Sequence, residues 1–476
     1  MDKQLLYSVV DSHAEALSKL SDRIWEYAEL SMQETRSAAD YIECLKAEGF
    51  AVEENLCGIA TAFLGRFGAE KPVIGILGEY DALSGLAQTP CVCHKEVPES
   101  GSNGHGCGHN LLGAASLGAA IAIKKQIEAG TLKGTVVFYG CPGEEGCAGK
   151  TFMARDGMFR DLDAALCWHP GDTNEVTTGS TAACLQVAYT FSGIAAHAAG
   201  DPERGRSALD AAELMNIGVQ FLREHMPKTC SVHYSFLDAG GVSPNVVQPT
   251  AKVLYMVRGE NVRAAQALLE RVNKIADGAA LMTETSVTKQ QIDGTADTVS
   301  NTVIEQLIYK NLAEAPLPVY TQEEEAFAQA MKATCGQPQI PGIAPQKSSV
   351  VRQEIAQLTD NGRLALNNFV MPYVPSSYME PGSTDVGDVS WLTPTAQFTA
   401  VTWVSGSPGH SWQNVSTGRH SIAHKGVIYA AKVLAGTAAD LMEQPEILTA
   451  ARKEFDLATA DGYLCPIGQE VVPMAL

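Results

Sequence analysis

Val73-Ile74-Gly75-Ile76-Leu77-Gly78-Glu79-Tyr80-Asp81 is a short apolar run that ends in a glycine and two carboxylates. Together with the residues downstream, this stretch sets the architecture. The same unit recurs twice: Thr135–Tyr139 runs into Pro142-Gly143-Glu144-Glu145-Gly146, and Ala164–Cys167 runs into Trp168-His169-Pro170. Helical patterns over 110–129 and from about Lys150 separate the three runs. Buried strands alternating with helices predict an α/β fold with a doubly wound, mostly parallel sheet. Such sheets place their sites beyond the carboxyl ends of the strands. Asp81, Glu144 and His169 all fall just past the predicted strand ends.

Upstream of this core, Thr61–Phe67 reads as a further strand. Residues 4–48 read as helical, with Leu17, Leu20, Ile24, Tyr27 and Ala28 near a 3.6-residue period. A loop rich in Pro, Gly and Ser spans Ser84 to Gly108, long enough to be functional or disordered. It closes with Asn103-Gly104-His105-Gly106-Cys107-Gly108-His109-Asn110, ahead of an amphipathic-looking segment from Leu111 to Glu128. The rhythm changes near Ala182. Strands at Cys184–Ser192, Cys230–Asp238, Thr250–Val257 and Thr285–Ile292 enclose helices at Ser207–Glu224 and Asn261–Met282. This βαββαβ pattern predicts an inserted α+β domain over 183–299, with a discontinuous main domain over 1–182 and 300–476. The later part holds Gly382-Ser383-Thr384-Asp385, a strand Phe398–Trp403, His410, and a closing helix from Ile422 to Ala435. The joints near 182–184 and 298–302 are candidate hinges.

At 476 residues the chain exceeds one ordinary domain. A net charge of −20 argues against nucleic acid or an anionic membrane surface as partner, since no basic stripe is available for phosphate. No run of about 18 apolar residues predicts a membrane span, and the N-terminal residues lack a signal-peptide core. The 12 cysteines are scattered, several inside apolar runs (Cys141, Cys167, Cys184), which fits reduced thiols and a cytoplasmic location.

Cys107 and His109 are metal-grade side chains in a glycine-rich turn, although a buried thiol beside a hydrogen-bonded histidine has the same spacing. Glu144-Glu145 could be a solvated pair. In a catalytic reading Glu145 holds a metal and Glu144 carries the proton of a metal-activated water. His169 could cap its strand, and Asp81 could be an ordinary turn aspartate. Thiolate, imidazoles and carboxylates converging at strand ends are nonetheless the ligand set of zinc or a similar divalent ion. Elsewhere, His105 reads as a loop brace, Cys91-x-Cys93-His94 lacks the second half of a zinc knuckle, and His420 with His424 reads as solvent-exposed.

On these motifs the chain resembles the aminoacylase / carboxypeptidase G superfamily of co-catalytic metallopeptidases, in the branch of amidohydrolases acting on p-aminobenzoyl-glutamate and related compounds. The resemblance runs nearly the full length. It takes in Glu34, the 78–83 and 103–113 stretches, Pro142–Glu145, His169, Gly193–Ala199, Ser243-Pro244-Asn245 with Arg258, Gly382–Asp385 and Gly409–Gln413. It implies that Cys107, His109, Glu145, His169 and His410 hold one or two divalent metal ions, zinc or manganese. It implies Glu144 as general base, with Asp81 bracing the metal ligands. His197 and Asn245 of the inserted lid/dimerisation domain would donate to the oxyanion, His197 across a dimer. Arg258 and Thr384 would bind the substrate.

The implied reaction is hydrolysis of an N-acyl or N-aroyl amino acid, p-aminobenzoyl-glutamate-like and so tied to folate catabolism. A dipeptidase or aminoacylase activity is the alternative, as is a chain active only with a homologous partner. The implied assembly is a homodimer or a dimer with such a homologous subunit. One departure stands out: Glu79 occupies a position where much of the superfamily has a metal-binding histidine, and Cys107 is the branch's substitute. Two rival readings are a cysteine hydrolase using Cys107 with His109, and a non-catalytic metal-binding subunit.

Overall fold

The computed structural model describes residues 2–99, 101–342 and 347–475. Strands used below are β1 (Ala51–Glu54), β2 (Phe63–Phe67), β3 (Val73–Gly78), β4 (Thr135–Gly140), β5 (Ala164–Gly171), β6 (Glu175–Val176), β7 (Ala183–Ser192), β8 (Ser231–Asp238), β9 (Thr250–Gly259), β10 (Ser286–Thr295) and β11 (Thr395–Val401).

Seven strands form one sheet in the order β1-β2-β4-β3-β5-β11-β6. The central four are mutually parallel, and the pairs β1/β2, β2/β4 and β11/β6 are antiparallel. Residue alternation drives two faces into two cores. Ile74, Ile76, Val136, Phe138, Leu166 and Trp168 meet helices on one side, while Val73, Val137, Tyr139, Ala165 and Cys167 pack on the other. The chain leaves β3 for β4 on one flank and returns to β5 on the other. The sheet therefore switches direction at β3, and a crevice opens there at the carboxyl ends.

The second sheet, β8-β9-β7-β10, is wholly antiparallel. Two helices, Ala208–Arg223 and Val262–Met282, cover one of its faces around Val187, Tyr189, Phe191, Val253 and Tyr255. Among the described residues no helix is long and apolar enough to cross a membrane.

Several elements differ from the sequence reading. The helical stretch 4–48 is three helices, Lys3–Ser12, Ala14–Tyr27 and Thr35–Ala47. Ala28 ends the second in a left-handed conformation (φ 43°), and the break it opens carries Ser31 and Glu34 towards the strand ends. The helix His109–Glu128 is not amphipathic: it is buried almost all round, wedged between the sheet and the helices Ala14–Tyr27 and Ser421–Glu443. A third correction concerns His169. It lies inside β5, paired with Thr399 of β11, rather than beyond the strand. Pro170 can follow it because β3 pairs with β5 only as far as Leu166, which leaves that side of β5 without a ladder to break. The 84–108 loop packs on the helix Trp412–Thr417, where Cys91 N donates to Ser416 O at 2.9 Å and Val92 N to Ser416 Oγ at 3.0 Å.

Candidate metal centre and catalytic site

Two buried carboxylates leave the end of β3, Glu79 and Asp81, and opposite them the helix His109–Glu128 begins. Gly108 caps that helix in a left-handed conformation (φ 77°), which turns Cys107 and His109 towards the strand ends. Asp81 Oδ1 accepts from His109 Nδ1 at 2.8 Å. Its Oδ2 accepts from Ser31 Oγ at 2.8 Å and from Glu145 N at 2.9 Å. One carboxylate thus fixes the imidazole tautomer and anchors the Glu144-Glu145 turn. A histidine held at Nδ1 by a carboxylate presents Nε2 as a ligand.

Around that Nε2, Cys107 Sγ lies 3.3 Å from His169 Nε2, and His169 Nδ1 donates to Pro170 O at 2.8 Å. His410 Nε2 lies 3.7 Å from Glu145 Oε2, and Glu144 Oε2 lies 4.0 Å from His109 Nε2. Among the described residues, three groups have ligand atoms within 4.8 Å of one another: Cys107/His109/His169, Cys107/Glu145/His410 and Glu79/His109/Glu144. His410 sits at the exposed rim with φ 50°, a left-handed conformation of the kind that costs about 1–3 kcal/mol and collects at functional sites.

Two observations test whether these residues fit a metal. Among the described residues, His109 Nε2 and Glu145 Oε1 are buried polar atoms without a hydrogen-bond partner, although Glu79 Oε2 lies 3.2 Å from that Nε2 as an ion-pair contact, and both residues belong to the groups just named. Such atoms are costly unless something satisfies them. The charge also calls for a cation: Glu79, Asp81, Glu144 and Glu145 crowd one crevice. Burial, then the charges of Glu79 and Glu145, hold the Glu144 carboxyl well above the ordinary range, and burial pushes Glu145 up to about 7. Burial and the neighbouring His109 push His169 down to about 4, which keeps it a neutral ligand. Burial works to lower His109, but Cys107, Asp81 and Glu79 overcome it and raise the imidazole. The residues fit a divalent ion.

Lys150 escaped the sequence reading, and Glu34 entered it only through the resemblance, with no role assigned. Lys150, fully buried, ion-pairs with Glu79 Oε1 and Asp385 Oδ1, each at 2.6 Å. Its signal was a lysine beside the apolar Phe152-Met153-Ala154 in the short helix Gly149–Arg155. Glu34, also fully buried, accepts from Met32 N and Gly143 N at 2.9 Å each and from Thr61 Oγ1 at 3.0 Å, so it holds the turn that presents Glu144.

The remaining sequence candidates stand apart. His197 and Asn245 are exposed neighbours: Ala198 N donates to Asn245 O at 2.9 Å, and neither side chain bonds to the cluster among the described residues. His197 Nδ1 accepts from Ala199 N (3.2 Å) and Gly200 N (3.0 Å), which leaves its proton on Nε2 as an outward donor. Arg258 donates through Nη1 to Ser383 Oγ, beside Thr384. His105 braces the loop, its Nε2 3.0 Å from Ile24 O. His94 pairs with Glu96, while Cys91 and Cys93 turn to separate carbonyls and form no knuckle with it. His420 and His424 are corrected as well: His420 caps a helix and stacks on Phe327, and His424 pairs with Asp22 at 2.9 Å.

Known proteins share this architecture. The profile of peptidase family M20/M25/M40 matches residues 75–351. A subunit of the p-aminobenzoyl-glutamate hydrolase of Escherichia coli is 42% identical over 99% of this chain and 100% of its own length. Among solved structures, an aminobenzoyl-glutamate utilization protein from Klebsiella pneumoniae superposes with a TM-score of 0.60 at 17% identity, over 92% of this chain and 99% of its own. A dinuclear metal-binding peptidase of the M20 family from Bacillus subtilis superposes with a TM-score of 0.55 at 16% identity, over 91% and 99%. At those identities the two structures speak for the fold.

Proposed function

This chain belongs to peptidase family M20/M25/M40 and is an amide-bond hydrolase; from that premise we propose that it cleaves N-acyl or N-aroyl amino acids of the p-aminobenzoyl-glutamate type. The observation that carries the reading is the clamped His109. Asp81 holds its Nδ1, and its orphaned Nε2 faces Cys107, His169 and the Glu144 carboxylate. In this reading Cys107, His109, Glu145, His169 and His410 hold one or two divalent ions, zinc or manganese. A bound ion would polarise the scissile carbonyl and acidify water.

The chain's own groups carry the rest. Glu144 takes a proton from the attacking water and returns it to the departing amine, a task suited to a carboxyl raised by burial. His197 Nε2 and the Asn245 amide donate to the oxyanion. Arg258 receives the substrate carboxylate as a two-pronged donor, with Thr384 beside it.

We assign residues 183–299 to a lid and dimerisation domain and 1–182 with 300–476 to the catalytic domain. The exposed position of His197 and Asn245 supports lid closure or donation from a second subunit. The edge strand β8 supports an assembly: it pairs on one side only and exposes Tyr234, Phe236 and Leu237. Its partner is a second copy or a homologous subunit, in line with the Escherichia coli relative being itself a subunit. The scattered cysteines, several buried among apolar residues, support a cytoplasmic location.

The test is an assay of zinc- or manganese-loaded protein, with and without chelator, on a panel of N-acyl and N-aroyl amino acids that includes p-aminobenzoyl-glutamate. Chelator-sensitive turnover of aroyl-glutamates is expected. Absence of turnover on every panel member, alone and with a homologous partner, would refute the assignment.

A further inference from the structure

Lys150 is a fully buried cation between two buried carboxylates. Its Nζ lies 2.6 Å from Glu79 Oε1 and 2.6 Å from Asp385 Oδ1, and its backbone N donates to Asp385 Oδ2 at 2.8 Å. The second oxygen of Glu79 lies 3.2 Å from His109 Nε2. Glu79 therefore sits with one oxygen on the ammonium and the other at the metal cluster, where it forms a candidate ligand group with His109 and Glu144.

The backbone around Lys150 is over-determined. Ala148 adopts a left-handed conformation (φ 50°, ψ 58°) that L-residues disfavour. A side chain on Gly149 would run into the carbonyl oxygen of Pro142, the residue that opens the Glu144-Glu145 turn. Strained, close-packed backbone that delivers one lysine to one carboxylate is the pattern of a positioned group.

We propose that Lys150 is a positioning residue that acts through Glu79: its ammonium ties down Oε1 of Glu79, leaves only Oε2 beside the metal cluster, and so limits the negative charge offered to the ion. The inference rests on the metal-dependent reading above. Removing the cation frees a carboxylate oxygen beside the cluster and removes a like charge from the ion's surroundings. Both effects strengthen cation binding, and an over-neutralised ion polarises a carbonyl less.

The experiment is zinc binding by competition with a chromogenic chelator, with zinc content by elemental analysis, for wild type and Lys150→Met. Zinc should bind at least tenfold more tightly in Lys150→Met, or in additional stoichiometry, while kcat falls. Adding Glu79→Gln to Lys150→Met should abolish the gain. A merely structural role for Lys150 predicts the opposite sign, weaker zinc binding. Unchanged or weaker binding in folded Lys150→Met overturns the proposal, as does a gain that persists in the double variant. If Lys150→Met does not fold, Lys150→Met/Asp385→Asn leaves Glu79 as the uncompensated partner, and the same two outcomes decide. Wild type that binds neither zinc nor manganese would refute the metal-dependent function itself; wild type that binds zinc beside variants that bind it no more tightly refutes this inference alone.

Discussion

The end of the seven-stranded sheet and the rim of the four-stranded sheet are built to opposite specifications. At the sheet end, Asp81 and Lys150 are buried and each is fixed by two or more partners, and Asp81 in turn holds the buried His109. At the rim of the smaller sheet, His197 and Asn245 lie in solvent, ordered by little more than backbone contacts. The contrast shows where the work of assembly falls. Metal ligands must be preorganised because each misplaced charge costs desolvation energy. On the function proposed above, oxyanion donors can wait until substrate brings the lid, or a second subunit, into place.

Glu144→Gln probes the prebuilt half most severely. The variant should retain its metal by elemental analysis and lose roughly 100- to 10,000-fold in kcat, the usual share of a general acid–base. Wild-type turnover would remove Glu144 from the chemistry. His197→Ala probes the other half, with a loss of roughly 100- to 1,000-fold in kcat and no change in metal content. Mixing the two inactive proteins refines the contrast further. If His197 serves the neighbouring subunit, hybrid dimers regain activity; if it serves its own lid, they do not.

Asp81→Asn should weaken metal binding by about 10- to 100-fold, because the His109 tautomer is no longer enforced. Chelator competition measures this, and unchanged affinity would mean that packing alone orients the ring. The smallest effect is expected at Glu34. Burial, then the charge of Asp81, raises its carboxyl to about 8 from an ordinary value of 4.5. The folded state therefore binds the proton more tightly, so stability is present below about pH 4.5 and is lost as pH rises towards 8. Glu34→Gln should flatten the fall of Tm between pH 5 and 8, and an identical slope in both proteins would show that Glu34 does not titrate there.

Much of the fold was legible in the sequence because its strands alternate cleanly with helices. The six elements of the inserted unit were located to within two or three residues, since alternating patterns on a sheet covered on one face are strong. Short breaks were not legible. Nothing in residues 4–48 announced that Ala28 would turn left-handed and send Ser31 and Glu34 to the site. His169 read as a strand end because its apolar run stops at Trp168, while the ladder with β11 continues to Gly171.

Strand and helix patterning in the sequence was enough to determine the α/β architecture, and its ordered motifs carried the resemblance to the family and the residue types of a divalent-metal site, because ligand chemistry is carried by the side chains and by the order of strands and turns. Tertiary structure alone decided how those residues share their atoms. Which nitrogen of His109 is held by Asp81, how Lys150 pairs both with Glu79 and with Asp385, 235 residues further on, and why His197 is left exposed with its Nδ1 bound to local backbone all follow from packing. A buried charge has a meaning only through its partners, and its partners are chosen by the sheet's topology and not by their distance along the chain.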